Sequence, residues 1–127
     1  MASIDTNVLL RWVMDDVPEH TARVAALFAS GERLRVDDAT LMEAVYVLER
    51  VKKISRERIV DTIKILAAEA CLDFDRAHWV DVAAHFEDHP KLSIYDVHLG
   101  VRARERGEVL FTFDKKLANQ LPFVEEL

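Results

Sequence analysis

Apolar and polar residues follow one another in a pattern that predicts short strands alternating with amphipathic helices. Apolar positions three and four residues apart indicate helices, whereas short β-compatible runs between turn residues indicate strands. Leu41, Val45 and Leu48 have the helical spacing, and Val109 to Phe113 is the clearest strand run. The five predicted strands are Ala2 to Ile4, Leu34 to Val36, Cys71 to Phe74, Val109 to Phe113 and Phe123 to Leu127.

Seven helices are expected between and after these strands, most of them bounded by capping residues or helix breakers. They are predicted over Asn7 to Met14, over Glu19 to Ser30, around Leu41 to Leu48, behind Ser55, behind Asp75 up to Pro90, from Ser93 to Gly107, and over Lys115 to Gln120. Strands that alternate with helices imply parallel pairing with right-handed crossovers. We therefore expect a single α/β domain over residues 1–127, a three-layer α/β/α sandwich with a mostly parallel sheet of about five strands.

Length and composition restrict the class of protein. A chain of 127 residues typically forms one domain, and 50% hydrophobic residues with three Gly and three Pro favour a compact fold. Asp5 interrupts the N-terminus before any apolar run, and no run of about 18 apolar residues is present, so we expect a soluble, cytoplasmic protein. The single cysteine, Cys71, excludes an internal disulfide. The net charge of −6 argues against a protein that coats nucleic acid, but not against a nuclease with clustered carboxylates.

Four carboxylates lie where the pattern places strand ends and helix starts. Asp5 and Asp114 each follow a strand directly, and Glu43 and Asp96 are expected in the first turn of a helix. The carboxyl ends of parallel strands are where open α/β sheets bind ligands. If the four acids converge, neighbouring pairs at ~4 Å repel by about 4 kcal/mol each, which a cation must relieve. Oxygen ligands select hard ions, so the sequence predicts Mg²⁺ or Mn²⁺.

Each acid also has a structural interpretation. Asp5 and Asp114 are suitable N-caps, Thr40 to Glu43 fits a capping box, and Ser93 to Asp96 is the Asp analogue of one. Acids near helix N-termini are favourable by about 0.3–1 kcal/mol without any function. The five histidines contain no H-E-x-x-H motif and do not predict a zinc site.

Four segments together resemble a PIN domain, specifically a VapC-type toxin of bacterial or archaeal toxin–antitoxin pairs. They are I-D-T-N-V-L-L-R-W, L-M-E-A-V-Y-V-L, S-I-Y-D-V-H-L-G and F-T-F-D-K-K-L. The resemblance implies a Mg²⁺- or Mn²⁺-dependent endoribonuclease that acts on structured or single-stranded RNA, forms a homodimer and binds a cognate antitoxin. It also implies that Asp5, Glu43, Asp96 and Asp114 are the catalytic metal ligands, with Asn7 and Thr112 as supporting polar residues. His98 and Gly100 depart from the family pattern, which commonly has a small or aliphatic residue and Ala there.

Basic and apolar residues near these segments suggest where partners bind. Arg11, Lys115 and Lys116 are candidates for contacts with substrate phosphates, although surface residues without a role are an equal alternative. Charge–dipole interactions at a helix C-terminus alone explain Arg102, Arg104 and Arg106. Trp12, Val13 and Leu48 are candidates for a groove that receives an antitoxin helix or a second subunit, with core packing the safer interpretation for Leu48.

Two other functions compete with the ribonuclease hypothesis. One is a non-catalytic PIN-fold module for RNA binding or protein interaction, in which the acids serve only as helix caps. The other is a different Mg²⁺-dependent phosphate enzyme on a similar scaffold. No Gly-rich phosphate loop is present, and no acidic pair follows the first strand directly, which disfavours the latter.

Overall fold

The computed structural model describes all 127 residues and confirms an α/β fold built on parallel strands. The strands are β1 (Ala2–Ser3), β2 (Leu34–Arg35), β3 (Leu72–Asp73), β4 (Leu110–Thr112) and β5 (Val124–Glu126). The helices are α1 (Thr6–Met14), α2 (Pro18–Ala29), α3 (Asp38–Tyr46), α4 (Arg56–Ala67), α5 (Arg76–Asp88), α6 (Ile94–Glu105) and α7 (Lys115–Gln120). A π-helical turn, Val47–Val51, continues α3. The longest helix has 13 residues, and none is both long and apolar enough to span a bilayer.

The strands form two parallel ladders. In the first, β2 lies between β1 and β3, with Leu34 opposite both Ala2 and Leu72. In the second, β4 pairs with β5, with Leu110 opposite Val124. The expected number of strands is therefore correct, but they are divided between a three-stranded and a two-stranded ladder. Because the strands within each ladder are parallel, the residues that follow them lie at the same edge of that ladder.

One apolar core of 25 buried residues holds the helices against the strands. Trp79 and Phe86 of α5 are fully buried there, as the core interpretation of Trp79 predicted. Helix α5 packs against α4 on one side and α6 on the other. Arg56, at the start of α4, donates to the carbonyl oxygens of Phe86 and His89 at 2.9 and 3.1 Å, and so satisfies acceptors at the C-terminal end of α5.

Gly100 allows α6 to approach the segment that leads into β5. A Cβ atom at this position would lie 3.1 Å from side-chain atoms of both Leu121 and Phe123, and 3.4 Å from Val124. A glycine inside a helix costs roughly 1 kcal/mol relative to alanine, so its presence here reflects close packing. This contact fixes the distance between α6, which carries Asp96, and the β4–β5 ladder, which Asp114 follows.

Candidate active site

Asp5 lies directly after β1 and caps α1. Its Oδ1 accepts the backbone N–H of Val8 at 3.0 Å, so the capping interpretation is correct for one of its two oxygens. The residue is exposed, and Oδ2 has no hydrogen-bond partner. Asp5 therefore combines a structural contact with a free carboxylate oxygen at the carboxyl edge of the β1–β2–β3 ladder.

Glu43 is held next to this position by a side-chain hydrogen bond. The hydroxyl of Thr6, which is buried, donates to Glu43 Oε2 at 3.0 Å and links the first residue of α1 to α3. Helix α3 begins at Asp38, so Glu43 is its sixth residue and not in the first turn. The capping-box interpretation of Thr40 and Glu43 is therefore wrong, because the helix starts before Thr40.

Asp96 lies in the first turn of α6, as the sequence predicts. Ser93 Oγ accepts the Asp96 N–H at 3.2 Å, which is one of the two bonds of a capping box. The reciprocal bond from the Asp96 side chain is not formed. This half-buried carboxylate makes neither a hydrogen bond nor an ion pair, so a helix cap does not account for it.

Asp114 follows β4 and caps the short helix α7. Its Oδ1 accepts the N–H groups of Lys116 and Leu117 at 2.9 and 3.2 Å. Its own N–H donates to Thr112 Oγ1 at 3.0 Å, so Thr112 holds the turn that presents the carboxylate. The cap interpretation accounts for Oδ1, whereas Oδ2 has no partner.

The donor chemistry of these four residues fits a hard cation, since each retains at least one carboxylate oxygen without a hydrogen-bond partner. In the structure, however, no group of three or more His, Cys, Asp or Glu side chains lies close enough together to hold a metal ion. The elements that carry these acids are linked directly by the hydrogen bond from Thr6, at the start of α1, to Glu43 of α3. Helix α3 also packs against both α1 and α6. The four-residue ligand set therefore stays a prediction.

A surface groove of about 360 Å³ lies between α1, which Asp5 caps, and α2. Its lining residues are Asn7, Val8, Arg11, His20, Arg23 and Val24. Arg11 also forms an ion pair with Asp16 at 2.8 Å, and this hydrogen bond lowers the pKa of the Asp16 carboxyl. Asn7 and Arg11, both predicted site residues, thus line the same groove, whereas Lys115 and Lys116 are exposed on α7 and form no ion pair.

Arg102 joins three helices through a network that the sequence does not reveal. It donates to Asp38 at 2.8 Å, to Asp75 at 2.9 Å and to Glu105 at 2.9 Å, and so ties α6 to the starts of α3 and α5. The prediction that charge–dipole interactions alone explain Arg102 is wrong. Arg104 also has a partner, an ion pair with Asp81. Asp38, Asp75 and Asp81 lie 23 to 64 positions from these arginines, so they leave no local sequence signal.

Two carboxyl groups beside Arg102, those of Asp38 and Asp75, are stabilised in their charged forms. The hydrogen bond from Arg102 lowers the pKa of Asp75 below its ordinary value. Burial raises the pKa of Asp38, but hydrogen bonds from Trp79 and Arg102 outweigh it and leave that pKa lowered. The network therefore holds the start of α3, five residues before Glu43, by charge as well as by packing.

Two buried histidines complete this region between α5 and α6. His78 lies 2.6 Å from Glu105 through Nδ1 and 2.7 Å from His98 Nδ1 through Nε2. A carboxylate only accepts, so His78 donates from Nδ1 to Glu105, and in a neutral His78 ring Nε2 then accepts the His98 N–H. Burial, and then the neighbouring His78, lower the pKa of His98, whose ring stacks on Trp79. These three nitrogens are occupied by contacts with each other and with Glu105.

Comparison with known proteins gives a family for the chain. The family model of the PIN domain matches residues 2–120, which is nearly the whole chain. PIN domains are typically nucleases and generally use divalent metal ions. No curated protein matches the chain. The extent of the family match, together with the α/β fold on parallel strands, shows that this chain belongs to the PIN domain family.

Proposed function

We propose that this PIN domain protein is a cytoplasmic, metal-dependent endoribonuclease, the toxin component of a type II toxin–antitoxin system of the VapC type. The observation that carries the proposal is the hydrogen bond from buried Thr6 to Glu43. It holds a carboxylate of α3 next to the end of β1, where Asp5 lies with a free oxygen. A solvated surface glutamate needs no such contact, whereas a metal ligand is commonly oriented by a hydrogen bond from a neighbouring side chain.

In this proposal Asp5, Glu43, Asp96 and Asp114 hold Mg²⁺ or Mn²⁺ through their free oxygens. The bound ion supplies positive charge that stabilises the negative charge developing during phosphodiester hydrolysis. A carboxylate of the set, with Asp114 the best candidate, accepts the proton of the attacking water. Arg11, Lys115 and Lys116 bind RNA phosphates, while Asn7 lines the groove beside Asp5 and Thr112 holds the turn at Asp114.

The antitoxin is proposed to dock in an apolar groove between α1 and α4. A cavity of about 240 Å³ is lined by Trp12, Val13, Thr62 and Ile65, and Ile65 is 60% exposed. A neighbouring cavity of about 160 Å³ extends it toward Met14 and Ile54. An amphipathic helix with apolar residues at helical spacing suits such a groove. Leu48 is 6% exposed and belongs to the core, as its safer interpretation held.

We also propose that the protein forms a homodimer through exposed side chains on α3 and α6. Tyr46 on α3 and Tyr95 on α6 are both exposed, with ring centroids 6.4 Å apart, and Leu99 is 52% exposed on α6. A second copy that covers these side chains would remove apolar surface from water. Light scattering after size-exclusion chromatography measures the mass directly, and a Leu99→Glu variant should shift it toward the monomer. A monomeric wild-type protein would contradict this part of the proposal.

The non-catalytic interpretation has one observation in its favour. Asp5 and Asp114 both accept backbone N–H groups at helix starts, as simple caps do. Asparagine caps helices about as well as aspartate, so Asp5→Asn preserves the cap while removing the carboxylate charge. This substitution therefore separates the two functions.

The test compares cleavage of total RNA in Mg²⁺ or Mn²⁺ by wild type, Asp5→Asn and Asp96→Asn. We expect both variants to remain folded and to lose at least about 100-fold in cleavage rate. Asp61→Asn is the matched control, because Asp61 is exposed on α4 and has no side-chain partner. If Asp5→Asn and Asp96→Asn cleave RNA as fast as Asp61→Asn, the two acids serve only structural roles and the nuclease assignment is refuted.

A further inference from the structure

The outer face of β4, made of Val109, Phe111 and Phe113, exposes apolar side chains in a row. Their exposed fractions are 49%, 59% and 79%, and Phe113 is the most exposed large hydrophobic residue of the chain. The alternate residues Leu110 and Thr112 are half-buried on the opposite face. This alternation continues through Phe113, which lies one residue beyond the strand. A contiguous exposed apolar face of this kind indicates a binding surface.

The outer face of β4 adjoins the proposed catalytic carboxylate. Phe113 directly precedes Asp114, and the hydrogen bond from the Asp114 N–H to Thr112 Oγ1 holds the turn between strand and helix. Phe111 lies within the strand and Phe113 lies two residues later, at the bend that follows it, so the two exposed residues are at most about 6.6 Å of extended chain apart. Two aromatic rings are thus presented in sequence toward the Asp114 end of β4.

Charge along this face is also ordered. Lys115 and Lys116 follow Asp114, are exposed, and have no acidic partner. At the other end, Glu125 of β5 lies opposite Phe111 in the ladder. Lys115 and Lys116 therefore offer cations to a polyanion at the Phe113 end, beside the carboxylate of Asp114, whereas Glu125 repels it at the Phe111 end. The combination of stacking rings with nearby unpaired cations is the arrangement with which proteins bind single-stranded nucleic acid.

We propose that Phe113 and Phe111 stack against unpaired bases of single-stranded RNA and lead the strand to Asp114, with Lys115 and Lys116 on its phosphates. This inference rests on the proposed ribonuclease function and assigns to Phe113 and Phe111 the contact with the bases beside the cleavage site. Phe113 carries the larger share, because it is the more exposed ring and lies nearer the cations. Bases in a duplex are already stacked and paired, so they cannot lie on these rings.

The area of the outer face of β4 favours bases over a second copy of the chain. Aromatic side chains present about 150–250 Å² each when fully exposed, so these three partly exposed residues together offer on the order of 350 Å². A stable protein–protein interface needs about 800 Å² from each partner. Two bases, in contrast, require only the two rings.

The test measures binding by fluorescence anisotropy in EDTA, which prevents metal-dependent cleavage. The probes are a labelled single-stranded RNA, a hairpin duplex, and an abasic strand of the same length. We expect Phe113→Leu to weaken binding of the single strand by about tenfold and Phe111→Leu to weaken it less. Phe113→Tyr keeps the ring and should bind like wild type. On the abasic strand, Phe113→Leu and wild type should bind equally.

The outcomes separate this inference from the proposed function. Equal binding of the single strand by wild type and Phe113→Leu would overturn the stacking role even if the protein cleaves RNA. A Phe113→Leu defect that persists on the abasic strand, or a change in molecular mass that accounts for it, would also overturn it. If Phe113→Leu loses binding of the single strand as expected, but Asp5→Asn cleaves RNA at the normal rate, the result would refute the nuclease site and not the stacking role. Thermal unfolding of Phe113→Leu should match wild type, because its side chain is 79% exposed.

Discussion

At the scale of single residues, the hydroxyl of Thr6 has a role that its stability contribution does not reveal. Thr6→Val keeps the shape of the buried side chain and removes the bond to Glu43. We expect the free energy of unfolding to fall by about 1 kcal/mol or less, since Glu43 is exposed and water replaces the donor. RNA cleavage should fall about 10- to 100-fold, because Glu43 loses its orientation. Urea unfolding and initial cleavage rates measure the two effects.

The matched control for this change is Thr62→Val. The Thr62 hydroxyl donates to the carbonyl oxygen of Arg58, four residues earlier in α4, so this hydrogen bond stays within one helix. We expect this variant to keep full cleavage activity. If Thr6→Val and Thr62→Val have equal rates, Glu43 does not depend on Thr6 for its position, and the proposed role of the bond is wrong.

The sequence predicts residues at element boundaries better than it predicts contacts between elements. Asp5, Ser55, Asp75, Ser93 and Asp114 are caps in the structure as expected, because capping is decided within a few residues of chain. The bond from Thr6 to Glu43 spans 37 positions, and no local pattern encodes it. The capping-box prediction at Thr40 failed because two earlier acids offer alternative helix starts.

At the scale of elements, the ion network of Arg102 sets how α3, α5 and α6 lie together. Arg102→Gln leaves Asp38, Asp75 and Glu105 without their shared cation. We expect the free energy of unfolding to fall by about 1–3 kcal/mol, less than for a fully buried pair because the partners are partly exposed. Arg106→Gln is the control, as Arg106 is exposed beyond α6 and has no ion pair. Equal stability of the two variants in urea would show that the network contributes nothing.

The same network predicts how stability depends on pH. The pKa values of Asp38 and Asp75 are lowered in the folded protein from the ordinary 3.8. Their contribution is therefore fully present above that value and is lost as pH falls through the lower folded values. We expect the unfolding free energy of wild type to fall more steeply than that of Arg102→Gln as the pH drops from 5 to 3. Urea titrations at several pH values test this, and parallel profiles would contradict it.

Element order and type were predictable because each helix has its own apolar face. The seven helices begin and end close to the expected positions, and the five strands are those predicted. The π-helical turn Val47–Val51 was not predicted, since Leu41, Val45 and Leu48 keep an α-helical spacing. Nor was the contact between buried His78 and His98 predicted, because the two residues are 20 positions apart on different helices, and Glu105 is 27 positions from His78.

At the scale of the whole molecule, a protein with a net charge of −6 must bind a polyanion through local groups or through added cations. The four proposed ligands, Asp5, Glu43, Asp96 and Asp114, would bind a divalent cation. An ion that binds only the folded state stabilises that state. At about ten times its Kd, Mn²⁺ should add about 1.4 kcal/mol and raise the unfolding midpoint by about 5 °C.

The variants distinguish a specific site from general screening of negative charge. Asp61→Asn and Asp96→Asn both remove one negative charge, so nonspecific screening by Mn²⁺ predicts the same shift in both. A site that uses Asp96 predicts the full shift in Asp61→Asn and little or none in Asp96→Asn, because removing a ligand weakens binding below the concentration used. Differential scanning fluorimetry at constant ionic strength, with Ca²⁺ and Na⁺ in parallel, measures these shifts. Equal shifts in both variants would mean that the four carboxylates, although each retains a free oxygen, do not bind one ion together. The proposed catalytic role of Asp96 would then be wrong.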